Sequence, residues 1–228
     1  MLVAAALLHW LTTGLPGVAI GAPLDESKPY GRACIALSTG EITEPLRIDS
    51  KPGSDSYIRI YAMPNARCRI LAFAFNASDG KLANDWPPQY FEVQSRQEIV
   101  LPYPLSAWRW PERSEPFELH VLFLHPNSKA APEIRKLVAA MQEMRVDRAL
   151  LARQAIRLRE LATGLAIEPT TIANLAKSNR TEIGATYRDP EFPWRKYSTA
   201  VNFSEDKPGL LILRHKKPNP SSGEPAVP

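Results

Sequence analysis

The run Ile70-Leu71-Ala72-Phe73-Ala74-Phe75 is apolar at every position. In an extended chain successive side chains point to opposite faces, so Leu71, Phe73 and Phe75 share one face and Ile70, Ala72 and Ala74 the other. One face is bulky and the other small, and neither tolerates water. The run therefore reads as a central strand buried on both sides. Asp79-Gly80 supplies the turn that follows it, because glycine reaches positive φ without steric penalty. Trp86-Pro87-Pro88 makes a stiff exit.

Shorter strands are predicted around this one. Arg32 to Ser38, Pro45 to Asp49 and Tyr57 to Ala62 precede it. Tyr90 to Val93, Glu98 to Leu101 and Phe117 to His125 follow it. In the last of these, Phe117, Leu119, Val121 and Phe123 form one apolar face. The opposite face begins polar with Glu118 and His120 and ends apolar with Leu122 and Leu124. Strands return at Tyr197 to Phe203 and Leu210 to Leu213. The 22 prolines are about twice the usual share and fall between these segments, as stiff loops require.

Residues 132–165 differ in character. Pro132 suits a first helical turn, where a missing N–H costs little. Ile134, Leu137, Met141, Met144, Arg148, Leu151, Ala155, Leu158, Ala162 and Leu165 follow 3-4 spacing, and all but Arg148 are apolar. That is the pattern of a coiled-coil seam. At 1.5 Å per residue the segment spans roughly 50 Å, whereas a strand of ordinary length is only ~17–20 Å. One sheet cannot cover the whole stripe of a straight helix. The helix either bends or breaks near Arg145 to Arg148, or buries its far half elsewhere. Two packings stay open: self-association through Leu137, Met141, Met144, Arg148, Leu151 and Leu158, or folding over the chain's own sheet against Ala72 and Ala74. Thr170 or Thr171 is placed to cap a short helix through Ala176.

The resulting fold class is α+β, mainly β. It is a β-sandwich-like antiparallel domain over 22–217, with a helical insertion at about 132–178 placed before the last two strands. Residues 218–228 have the composition of a disordered tail. The first 21 residues carry no charged side chain and resemble a secretory signal, with Ala19 and Gly21 before a cut ahead of Ala22. An uncleaved anchor or a start site further upstream are the alternatives. The expected location is periplasmic or secreted, in a bacterial envelope, with no membrane contact beyond export.

Leu71 to Phe75, Asp79-Gly80, Trp86-Pro87-Pro88, Ile99 to Pro102 and Leu119 to Leu124 carry a family resemblance. Their succession resembles a bacterial domain of unknown function found in exported proteins, and also fused to caspase-like peptidases or protein kinases. The resemblance covers roughly Tyr57 to His125. It implies an exported β-rich accessory domain of the sandwich type and no catalytic residues. Asp85-Trp86-Pro87-Pro88 stands where that family has an aliphatic-Phe-Pro-Asn segment.

The two cysteines, Cys34 and Cys68, sit in predicted strands. In an exported protein they permit one disulfide; packed as small hydrophobes they would be free thiols. No metal-ligand spacing, phosphate-binding glycine loop or nucleophile elbow occurs, and no cofactor is implied. A net charge of +4 is too mild to argue for nucleic acid. An enzyme would need His120 brought beside a carboxylate in a cleft.

Trp86, Tyr90, Trp108 and Trp110 flank proline-rich connections, with Arg109 between two of the indoles. Exposed, they would stack on a sugar or grip a proline-rich peptide. Buried, they would plug one end of the sandwich. The function expected is thus a non-catalytic exported binding or scaffolding module acting by protein–protein contact or self-association. A carbohydrate- or cell-wall-binding module using exposed tryptophans is the alternative.

Overall fold

The computed structural model describes residues 24–40, 42–46, 53, 55–83, 86–102, 108–110, 116–143, 148–165, 170–171, 187–188 and 192–215. The expected export segment, most of the strand expected at Pro45 to Asp49, the helix expected through Ala176 beyond Thr171, and the expected tail 218–228 lie outside them.

Among the described residues, twelve strands and two helices follow one another in the order β1 (Tyr30–Thr39), β2 (Ile42–Pro45), β3 (Ser56–Pro64), β4 (Cys68–Asn76), β5 (Gln89–Val93), β6 (Ile99–Leu101), β7 (Trp108–Arg109), β8 (Phe117–Leu124), α1 (Ala131–Glu143), α2 (Arg148–Leu165), β9 (Thr170–Thr171), β10 (Tyr187–Arg188), β11 (Thr199–Asn202) and β12 (Gly209–His215). The fold is α+β and mainly β, in two largely antiparallel sheets.

The first sheet runs β10-β2-β1-β3-β6. One edge of β1 is shared: Tyr30 to Ala33 pair with β11 and Ala36 to Thr39 with β2. The second sheet runs β5-β4-β8-β12-β9. The doubly apolar run Ile70 to Phe75 lies in β4, with β5 on one side and β8 on the other. The last two long strands part company: β11 joins the first sheet and β12 the second.

Alternation along each strand sorts the side chains into layers. Ala33, Ile35, Ile58, Ile60, Ile70, Ala72, Ala74, Leu119, Val121, Phe123 and Leu211 form one buried core drawn from both sheets. Gly31 marks how close the sheets come. A Cβ there would lie 2.2 Å from the Phe123 ring, so only glycine fits.

The opposite face of the second sheet carries Leu71, Phe73, Phe75, Leu122, Leu124, Leu210 and Ile212. It is covered by Ile134, Val138 and Met141 of α1 and by Ala155, Leu158 and Ala162 of α2. The seam positions Leu137 and Leu151 pack against the same core. The helical layer thus lies on the bulky face of β4. Of the two packings open to the helical segment, the one over the chain's own sheet is expected against Ala72 and Ala74, but that small face looks toward the other sheet, in the same core as Trp86, Trp108 and Trp110.

The single long helix is also corrected. The seam is divided between α1 and α2, and Arg157 of α2 reaches Glu133 at the start of α1 at 3.1 Å. That pairing requires the chain to double back. Two helices of roughly 20 and 27 Å match the dimensions of the sheet, where one of roughly 50 Å does not. The coiled-coil register therefore encodes two helices packed side by side. Thr170 and Thr171 form β9, a parallel partner of Leu211 and Ile212. Tyr197 ends a 3-10 turn, Trp194–Tyr197, before β11 begins.

Candidate functional site

Of the two readings open for the aromatic cluster, the buried one holds for its three tryptophans, which are part of the core. Trp86, Trp108 and Trp110 are 6%, 3% and 5% exposed. Trp86 and Trp108 stack at 5.3 Å, and Trp86 and Trp110 both meet the edge or face of Phe117, at 5.6 and 5.5 Å. His215 closes the group against Trp110 and Phe117. The indoles are packed on one another, on Phe117 and on His215, so these three side chains present no platform for a sugar.

Tyr90 and Arg109 do not belong to this cluster. Tyr90 pairs in register with Leu71 and packs on the helix-covered face, with the second sheet between it and the tryptophans. Burial pushes its phenol up from the ordinary range. Arg109 alternates outward from Trp108, is 57% exposed at its side chain and pairs with Asp55 at 3.8 Å. Adjacency in sequence separated these groups in space, because neighbours on a strand face opposite ways.

The proposed helix assembly face is largely consumed inside the molecule. Met141 and Leu158 are buried, and Leu137 and Leu151 pack on the same core. Met144 and the side chain of Arg148 lie outside the described residues. Cys34 and Cys68 are both free and buried. Cys34 belongs to the outer layer of the first sheet and Cys68 to the core between the sheets. Of the two readings left open for them, the structure has the free thiols. Desolvation pushes both thiols up to about 12.

Two other arrangements stand out, and only the second, around His120, has a residue that the sequence had singled out. The first lies on the outer face of the first sheet. Small residues there, Cys34 and Ala36, let Phe192, Trp194 and Tyr197 lie down beside Tyr61. Tyr61 meets Phe192 at 5.3 Å and stacks on Trp194 at 6.2 Å. Beside this floor opens a groove of about 580 Å³ lined by Tyr61, Glu98, Val100, Phe192, Pro193, Trp194, Arg195 and Lys196. Its volume lies in the range of small-ligand and side-chain pockets, ~300–1,000 Å³.

Arg195 spans the rim of the groove. Its guanidinium donates to Glu98 at 3.3 Å and sits 5.8 Å from the centre of the Trp194 ring. Burial pushes the Tyr61 phenol up. In the sequence the visible signal was the triplet Phe192-Pro193-Trp194, an aromatic pair around a proline ahead of two cations.

The second arrangement lies beneath α2. Glu118 and His120 share the outer face of β8, and Glu118 accepts a hydrogen bond from His120 Nε2 at 3.1 Å. Arg214 of β12 donates to the same carboxylate at 2.9 Å, and Arg159 of α2 stands 4.0 Å away. Hydrogen bonding from His120, with Arg214 assisting, pulls the Glu118 carboxyl down to about 2. Desolvation lowers His120, which is completely buried. The imidazole thus has its carboxylate, but it lies under the helical layer and does not line the groove.

Among the described residues no cluster of three or more His, Cys, Asp or Glu is placed to hold a metal ion. No helix among them is long and apolar enough to cross a membrane. Set against known proteins, the chain matches no family model, no curated protein and no solved structure.

Proposed function

We propose that this chain is an exported, non-catalytic binding module of β-sandwich-like architecture, and that it acts by protein contact through the groove at Tyr61 and Trp194. The observation that carries this reading is the groove itself: an aromatic floor, a volume suited to an inserted side chain and a charged rim. The export segment read from the first residues supports a periplasmic or secreted setting. The sealed position of His120 supports a role outside catalysis.

The partner is a protein segment that seats an apolar side chain on the aromatic floor and brings a carboxylate to the rim. Arg195 and Lys196 outnumber Glu98 there. The Arg195–Glu98 pair is exposed, at 64% and 39% of its side chains. Such pairs are worth only ~0–1 kcal/mol, so an incoming carboxylate exchanges with Glu98 at little cost. This reading moves the contact surface from the helices and the buried tryptophans to the strap around Trp194.

Selection of a displayed peptide library on the full chain tests the proposal, followed by NMR mapping of the best binders. The expected result is enrichment of peptides pairing an aromatic or aliphatic residue with Asp or Glu. Shifts should centre on Glu98, Val100, Trp194 and Arg195, and Arg195→Glu should weaken binding at least tenfold. Absence of any enriched peptide, or shifts confined to the helical layer, overturns it.

A further inference from the structure

The groups around His120 are arranged so that one protonation state fits the closed structure. Glu118 fixes the tautomer: Nε2 carries the hydrogen and donates to the carboxylate. The lone pair is then on Nδ1, which is buried and has no partner. Phe73 and Phe75 lie against the ring at 5.1 and 5.4 Å. In register, His120 stands between Phe73 of β4 and Ile212 of β12. A second proton would have to sit on Nδ1, in apolar surroundings, with no acceptor.

Every charged group near the ring opposes that proton or is already engaged. On β8, Glu118 attracts it but is held by Arg214. On β12 and α2, Arg214 and Arg159 repel it. The residues facing it from β4 are the two phenylalanines. The cover over this site is α2, whose Ala155, Leu158 and Ala162 share the core with Phe73, Leu122 and Ile212. Arg159 is its ionic tie to the sheet, and the same guanidinium lies 5.9 Å from the centre of the Phe75 ring.

We infer that His120 is an acid-sensitive latch on the helical layer: its protonation is relieved by lifting α1 and α2 off the second sheet while the two sheets stay paired. Water then reaches Nδ1, and the cation is solvated without unfolding the strands. The uncovered surface is the apolar face of Leu71, Phe73, Leu122, Leu210 and Ile212. Such partial opening of one packed unit is an ordinary low-energy excursion, and acid raises its population. The inference stands apart from the Tyr61 groove, which lies on the other sheet.

Amide hydrogen exchange on the full chain at pH 7.5 and pH 5, corrected for intrinsic rates, reads the opening directly. The expected result is a rise of about tenfold or more in exchange across residues 131–143 and 148–165 at pH 5. Amides of β4 and β8 should stay protected. His120→Gln, which keeps a donor for Glu118 but does not titrate, should abolish the pH dependence. Helix protection that does not change with pH overturns the latch, and so does a pH dependence that survives in His120→Gln. Equal loss of protection in helices and strands also overturns it, because it reports global unfolding. If His120→Gln fails to fold, NMR titration of the wild-type imidazole decides. Protonation near the ordinary pH with unchanged helix protection overturns the inference, and protonation that tracks helix exchange supports it.

Discussion

Trp86 and Trp108 stack with their ring centroids 5.3 Å apart and their planes only 5° from parallel. The two indoles come from segments on either side of β5 and β6, and both are sealed from solvent. Their contact closes one end of the core between the sheets, next to Phe117. Trp86 and Trp108 therefore act on stability.

Trp108→Ala should lower stability by about 3–5 kcal/mol, the usual loss for a large buried aromatic. Urea denaturation followed by circular dichroism measures it. Binding at the Tyr61 groove, assayed below the denaturation midpoint, should be unchanged. A variant of wild-type stability would mean that Trp108 is not packed as described.

Leu158 of α2 is completely buried against the second sheet, whereas Ile156 is 39% exposed on the same helix. Leu158→Ala should cost about 2–5 kcal/mol and Ile156→Ala under about 1. Light scattering behind a sizing column should give the same mass for both variants as for the wild type. A fall in mass specific to Leu158→Ala would show that the seam holds two chains together.

The Glu118 carboxyl is displaced downward, from 4.5 to about 2. A lowered carboxyl binds fewer protons in the folded state, so its contribution is complete above pH 4.5 and is lost as pH falls toward 2. At 1.36 kcal/mol per unit this amounts to at most about 3 kcal/mol. Glu118→Gln should lose about that much at pH 7 and show a flatter stability curve between pH 4.5 and 2. His120 is also lowered, so its contribution is present above its ordinary pH of 6.5 and is lost as pH falls below it. Unfolding curves recorded from pH 8 to pH 2 should resolve the two windows.

Cys34 and Cys68 are buried thiols pushed up to about 12. The thiolate is the reactive form, so neither should react with a maleimide at pH 7 in the folded protein. Both should react in denaturant without prior reduction, giving two adducts by mass spectrometry. A single species two mass units light that labels only after reduction would establish a disulfide.

Local alternation and composition were enough to locate β4, β3, β8 and β12, because each long strand writes its burial directly into period-2 side chains. The doubly apolar run Ile70 to Phe75 required cover on both faces, and both covers exist. The helical segment was visible for the same reason, and so was the mismatch between its length and the sheet. What lay beyond sequence was which cover meets which face. Ala72 and Ala74 lie toward the other sheet in the core that holds Trp86 and Trp108, so the helices went to Phe73 and Phe75. The groove at Tyr61 joins residues more than 130 positions apart, and no local pattern records such a meeting. Glu118 and His120 read only as a polar start to one face of β8; that α2 and Arg214 close over them is decided by the tertiary packing. The chain alone fixed which residues avoid water, because hydrophobicity is a property of each side chain. Their partners depend on how the layers stack, and that is decided by volume, charge and topology acting across the whole fold.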